Sequence, residues 1–125
     1  MKTIIKTDKA PEPIGPYSQA VQTGNMLFVS GQIAIDPATG TVTTINIIKE
    51  TNQVMHNIMN ILIEAGMDFS NVIKTTIYLK DMYDFPTVNE VYDTYFKKDF
   101  PARETVQVAA LPKGANVEIS VIAVK

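Results

Sequence analysis

The most regular hydrophobic spacing in the chain runs from about Ile47 to Ala65, where Thr51, Val54, Ile58, Leu62 and Ala65 recur at intervals of three and four. That period lays one stripe along one side of a helix. Asn46 suits its N-cap and Gly66 its stop, while Asn52, Gln53, His56 and Asn60 take the polar positions. A second helix is predicted near Phe85 to Lys97, with Asp84 as cap and Pro86 in the first turn, where a missing N–H costs nothing. Its apolar face would be Phe85, Val88, Tyr92, Tyr95 and Phe96.

Four strands are predicted: Met26 to Ser30, Val72 to Leu79, Thr105 to Ala110 and Val117 to Val124. Thr23-Gly24-Asn25 reads as the turn before the first of them. Gly31 breaks that strand's pattern, as a bulge or a close approach of backbone to a ligand would. Pro11, Pro13, Gly15 and Pro16 mark an irregular loop before Tyr17, and Asp36 to Gly40 marks another. In the last strand Val117, Ile119, Val121 and Ala123 share one face, and Glu118, Ser120, Ile122 and Val124 the other. Both faces are largely apolar. Two helices can cover one side of such a sheet, which predicts an α+β sandwich of two layers. Self-association is the simplest cover for the other side.

A length of 125 residues, 46% hydrophobic and 19% charged, fits a single domain over 1–125 with a substantial core. Eleven basic and thirteen acidic side chains give a net charge of -2, and the pair Lys97-Lys98 runs straight into Asp99. A nucleic-acid partner is not expected without a basic stripe. With no cysteine, disulfides, thiolate nucleophiles and cysteine-held metals are excluded. Nothing approaches the roughly 20 apolar residues of a membrane span, and the first residues lack a signal-like apolar stretch, so a cytoplasmic location is expected. His56 is the only histidine and falls on the polar side of the first helix, which leaves no histidine triad and no histidine-rich metal site.

Two charges stand out by position. Arg103 is the only arginine, just before the strand predicted at Thr105, and Glu118 lies inside an apolar strand. A carboxylate there costs free energy unless paired, hydrogen-bonded or neutral. Adjacent antiparallel strands would bring the two together, either as a structural ion pair or as a site. In a site, the guanidinium would grip a carboxylate at two points, and the glutamate would move protons to and from water. Tyr17, Ser30 and Asn89 read, from periodicity alone, as a loop aromatic, a strand-end hydroxyl and a surface amide.

The run Pro101-Ala102-Arg103-Glu104-Thr105-Val106, with Ala110-Leu111-Pro112-Lys113-Gly114-Ala115 and Val117-Glu118-Ile119, resembles the signature of the reactive intermediate deaminase family of the RidA/YjgF type. Ile14 to Ala20, Phe28 to Gln32 and Asn89 to Tyr92 resemble it too, in the family's order and across nearly the whole chain. The resemblance implies a chorismate-mutase-like α+β fold and a homotrimer with three equivalent clefts between subunits. It also implies hydrolysis of 2-iminobutanoate and 2-iminopropanoate to 2-oxo acids and ammonia, without metal or cofactor. Arg103 would then bind the substrate carboxylate and Glu118 would activate water. Tyr17, Ser30, Gly31, Asn89 and Thr105 would line the pocket, Gly31 and Thr105 through backbone groups. The chain departs from the pattern at Glu104, where a small residue is usual and a carboxylate could compete for Arg103. Thr105 stands where cysteine is frequent, and Glu50 where glutamine is common. Rival readings are a sensor that binds a small carboxylate without turning it over, which would need Arg103 but not Glu118, and a ribonuclease, which the acidic balance disfavours.

Overall fold

The computed structural model describes residues 1–125. Six strands form one mixed sheet: β1 Lys2–Ile5, β2 Ala20–Thr23, β3 Met26–Gln32, β4 Val72–Leu79, β5 Ala102–Gln107 and β6 Val117–Val124. Their order across the sheet is β1-β2-β3-β6-β4-β5, antiparallel throughout except for the parallel pair β4 and β5. Helices α1, Ile47–Glu64, and α2, Phe85–Asp93, cover one face. The predicted two-layer sandwich is what the chain forms.

α1 starts where Asn46 accepts the Lys49 N–H at 2.8 Å, and the chain leaves it through Gly66 at φ 72°, a left-handed value that glycine takes without strain. Val54, Met55, Ile58, Ile61 and Leu62 are buried from it against Leu27, Ile77, Leu79, Val117 and Ile119 of the sheet. Asn57, buried on the same helix, donates to the carbonyls of Ile33 and Ile35 and ties the segment after β3 to α1. His56 is exposed, as its periodicity predicts.

The structure corrects several boundaries. β1 and β2 were not predicted: both are only four residues long, with too few alternations to stand out. α2 ends at Asp93 rather than Lys97, because the Thr94 hydroxyl donates to the Val91 carbonyl at 2.6 Å and closes the turn. Tyr95 and Phe96 then leave the helix and pack around Phe69, with ring centroids 5.4 and 5.3 Å away. Asp84 occupies the cap position of α2 but makes no side-chain capping bond. β5 begins at Ala102, three residues before the prediction, since pairing with β4 starts at Lys74 opposite Ala102. Arg103 therefore lies within the strand.

The alternation in β6 holds. Val117, Ile119, Val121 and Ala123 are buried under the helices, and Glu118, Ser120, Ile122 and Val124 are half-buried on the open face. Cross-strand pairing runs Ile4–Val21–Phe28–Ile122 across that open face, an apolar row in which Ile4 and Phe28 are exposed.

Candidate active site

Gly31 sits in the β3 bulge between Val29 and Gln32, where the register with β6 shifts. The Glu118 side chain fills the space this leaves, and a Cβ at position 31 would strike its carboxylate. The bulge reading of Gly31 is thus realised, with the Glu118 side chain packed against its backbone. Tyr17, Gly31, Pro112 and Glu118 border a small hollow of about 40 Å³, with Ile14, Ile33 and Ile35 as its apolar wall. The Tyr17 hydroxyl accepts the Ile14 N–H at 3.3 Å, which fixes the aromatic over the loop. Ser30 is nearby, its hydroxyl donating to the Ser18 carbonyl at 2.6 Å. Burial in this setting raises the Glu118 carboxyl above its ordinary pKa, with no cation of the same chain to oppose it.

Upstream, Glu50 holds the entry to β6. It is fully buried in the first turn of α1 and accepts hydrogen bonds from the Asn116 N–H at 2.7 Å, the Asn116 Nδ2 at 2.8 Å and the Val117 N–H at 3.3 Å. Three donors compensate the desolvated carboxylate without a counterion. Glu50→Ala would orphan all three, and at about 1–3 kcal/mol per stranded buried donor it should lower stability by several kcal/mol. Glu50→Gln keeps one acceptor and should lose only part of that. Denaturant titration of both variants measures the difference.

Arg103 occupies a second place. β5 carries it toward α2, where its guanidinium donates to Asn89 Oδ1 at 2.7 Å. The guanidinium carbon lies 5.1 Å from the Tyr92 ring centroid and 5.6 Å from that of Phe85. Asn89, Tyr92, Asp93, Phe100, Pro101 and Arg103 border this wider hollow of about 380 Å³. No carboxylate of the chain forms a salt bridge with Arg103; the two salt bridges present are Lys6–Glu12 and Lys74–Glu104. Burial raises the Tyr92 phenol above its ordinary pKa, partly opposed by the Thr75 hydrogen bond and by the charge of Arg103. Thr105, two residues beyond Arg103 on the same side of β5, has a buried hydroxyl with no hydrogen-bond partner.

One expectation fails outright. Arg103 and Glu118 do not stand on adjacent antiparallel strands, because β4 lies between β5 and β6. Arg103 is opposite Thr75, which is opposite Val121 on the helix-covered face. Glu118 is opposite Tyr78 on the open face. Two strand spacings and a three-residue offset put their Cα atoms about 14 Å apart, with side chains on opposite faces of one sheet. Within one chain they cannot reach a common small molecule. The competition expected from Glu104 also fails for a geometric reason. Its side chain points to the open face, where it accepts from Thr76 Oγ1 at 2.9 Å and pairs with Lys74 at 3.2 Å, both of which hold its carboxyl below the ordinary pKa.

The predicted residues thus fall into two separate groups, Tyr17, Ser30, Gly31 and Glu118 in one, and Asn89, Arg103 and Thr105 in the other. Tyr92 and Phe85, which flank the guanidinium, read in the sequence only as core positions of α2. Their contact with Arg103 depends on where β5 crosses, which their spacing does not encode. No helix is long and apolar enough to cross a membrane.

Residues 7–125 match the family model described as Endoribonuclease L-PSP. The chain is 50% identical, over its full length and 93% of the relative, to the mouse 2-iminobutanoate/2-iminopropanoate deaminase, and 49% identical to the human protein of that name, of which it covers 91%. It is 53% identical to a RutC family protein of Pyrococcus horikoshii, over all of this chain and 99% of that one. Among solved structures it superimposes on the YjgF gene product of E. coli with a TM-score of 0.94 at 42% identity, covering 98% of each chain. Against E. coli TdcF with bound serine the TM-score is 0.95 at 40% identity, again over 98% of each. By sequence along its whole length and by its chorismate-mutase-like sheet and helices, the chain belongs to the Endoribonuclease L-PSP family, the family of the RidA/YjgF reactive intermediate deaminases.

Proposed function

We propose that the chain hydrolyses 2-imino acids such as 2-iminobutanoate and 2-iminopropanoate to 2-oxo acids and ammonia, in clefts between the copies of a homotrimer. The observation that carries this reading is the separation of an arginine without a carboxylate partner and a half-buried glutamate onto opposite faces of one sheet. Each is half of a site, and a second copy is the simplest source of the other half. The apolar row Ile4–Val21–Phe28–Ile122 supplies surface for that copy to cover. The deaminase names of relatives near 50% identity support the reaction, and the serine bound by TdcF supports an amino-acid-sized carboxylate ligand.

In this mechanism Arg103 of one copy grips the substrate carboxylate, with Asn89 fixing the guanidinium. Glu118 of the neighbouring copy takes a proton from water as the oxygen attacks C2 of the protonated imine. The resulting carbinolamine has a new C–O bond and a neutral amino group. Glu118 returns its proton to that nitrogen, the C–N bond breaks, and ammonia leaves as the oxygen's electron pair forms the 2-oxo group, the hydroxyl proton passing to the freed Glu118 carboxylate and from there to solvent. A protonated imine is already electrophilic, so positioning and proton transfer are the whole requirement. A ribonuclease reading draws on the family's description, but a net charge of -2 offers little to a polyphosphate.

A mixing experiment tests the shared site. Arg103→Ala and Glu118→Gln should each be nearly inactive alone. Unfolded together in equal amounts and refolded, random trimers should regain roughly a quarter of wild-type imine hydrolysis, since each cleft needs one intact residue from each neighbour. The refolded species should have about three times the 13.8 kDa chain mass by light scattering. Two variants that are inactive alone and stay inactive in a mixed trimer would place both residues in one copy or outside the reaction.

A further inference from the structure

We infer that Tyr92 is the positioning residue that aims Arg103, acting from the helix layer through an anchor on Thr75. This rests on Arg103 being the carboxylate-binding group of the proposed function, and it adds a residue that the half-site itself does not name. An exposed arginine ordinarily samples many rotamers and loses that freedom on gripping an anion. Arg103 is held beforehand instead. Asn89 fixes one terminal nitrogen at 2.7 Å, and the Tyr92 ring lies against the guanidinium with its centroid 5.1 Å away.

The ring is itself buried and anchored. Tyr92 is only 3% exposed, and its hydroxyl donates to Thr75 Oγ1 at 3.0 Å. Thr75 is fully buried on β4 and stands directly opposite Arg103 in the parallel ladder. Backbone pairing and side-chain contact therefore close a loop: β5 places Arg103 beside Thr75, Thr75 anchors Tyr92, and Tyr92 returns to Arg103. All the groups that hold the guanidinium are neutral, so its charge is left for a ligand. A tyrosine kept un-ionised by burial serves this better than a carboxylate, which would compete with the substrate.

Arg103 is the only arginine, so its Nε–H gives one unambiguous cross-peak in a nitrogen-15 spectrum. In the wild type that peak should be shifted upfield by the rings and show restricted motion. Tyr92→Leu should move it downfield and free it, while Tyr92→Phe, which keeps the ring but loses the Thr75 anchor, should fall between the two in shift and in mobility. In parallel, 2-oxobutanoate should bind the Leu variant roughly 5–30-fold more weakly, with Phe rescuing part of the loss. In imine hydrolysis that loss should appear in KM, with kcat little changed. A mobile, unshifted Arg103 peak in the wild type would overturn the proposal without any variant. So would an unchanged peak and affinity in folded Tyr92→Leu. If the peak responds as expected but 2-oxobutanoate binds neither the wild type nor the variants, Tyr92 still positions Arg103 and the functional reading is what falls.

Discussion

Glu118→Gln is expected to bind 2-oxobutanoate as the wild type does while imine hydrolysis collapses by about 10²–10⁴-fold. The amide keeps the size and much of the hydrogen bonding of the carboxylate beside Gly31, but it cannot take a proton from water. Calorimetric titration beside an assay that generates the imine in situ separates the two quantities. A carboxylate-binding sensor would show equal binding in both proteins and turnover in neither. Hydrolysis above the spontaneous background and equal in both would remove Glu118 from the mechanism. A melt checks the fold, and its sign follows from burial. Within the protomer the folded-state pKa of Glu118 is raised, so its contribution to stability is fully present below the ordinary carboxylate value and lost as pH rises through the raised one. The glutamine variant does not titrate. Its melting temperature relative to wild type should therefore increase across that window.

Arg103→Lys should reduce imine hydrolysis by roughly 30-fold, on the basis that losing one charge-assisted hydrogen bond to the substrate carboxylate costs about 1.5–3 kcal/mol. Lysine preserves the charge but loses the planar fork, and with it both the two-point grip and the fit between Tyr92 and Phe85. The fold should survive, because Arg103 makes no salt bridge and bonds only to the amide of Asn89. Steady-state kinetics on the lysine variant, with a melt alongside, gives the comparison. Near-wild-type hydrolysis in a well-folded lysine variant would return Arg103 to a packing role between α2 and β5.

The sequence by itself determined the class of fold and the chemistry worth looking for. The three- and four-residue spacing of α1, the caps at Asn46 and Gly66, and the strict alternation of β6 survive in the structure because each reflects a local rule: helical period, capping geometry and the two faces of a strand. Gly31 was legible for the same reason, as a glycine breaking a strand pattern. Arg103 stands out by its rarity and Glu118 as an ion in an apolar strand, both of them properties of the sequence. Strands β1 and β2 are not legible because four residues carry too little periodicity, and the pattern of α2 overruns its end because Tyr95 and Phe96 keep the apolar spacing while serving a cluster around Phe69. Only the tertiary structure decided which strands are neighbours. Strand order depends on chain crossings that no local pattern records, and here it inserts β4 between β5 and β6. That insertion separates Arg103 and Glu118 by two strand spacings, while the odd offset between their partners Thr75 and Tyr78 puts them on opposite faces, Glu104 toward Lys74 and Arg103 against Tyr92.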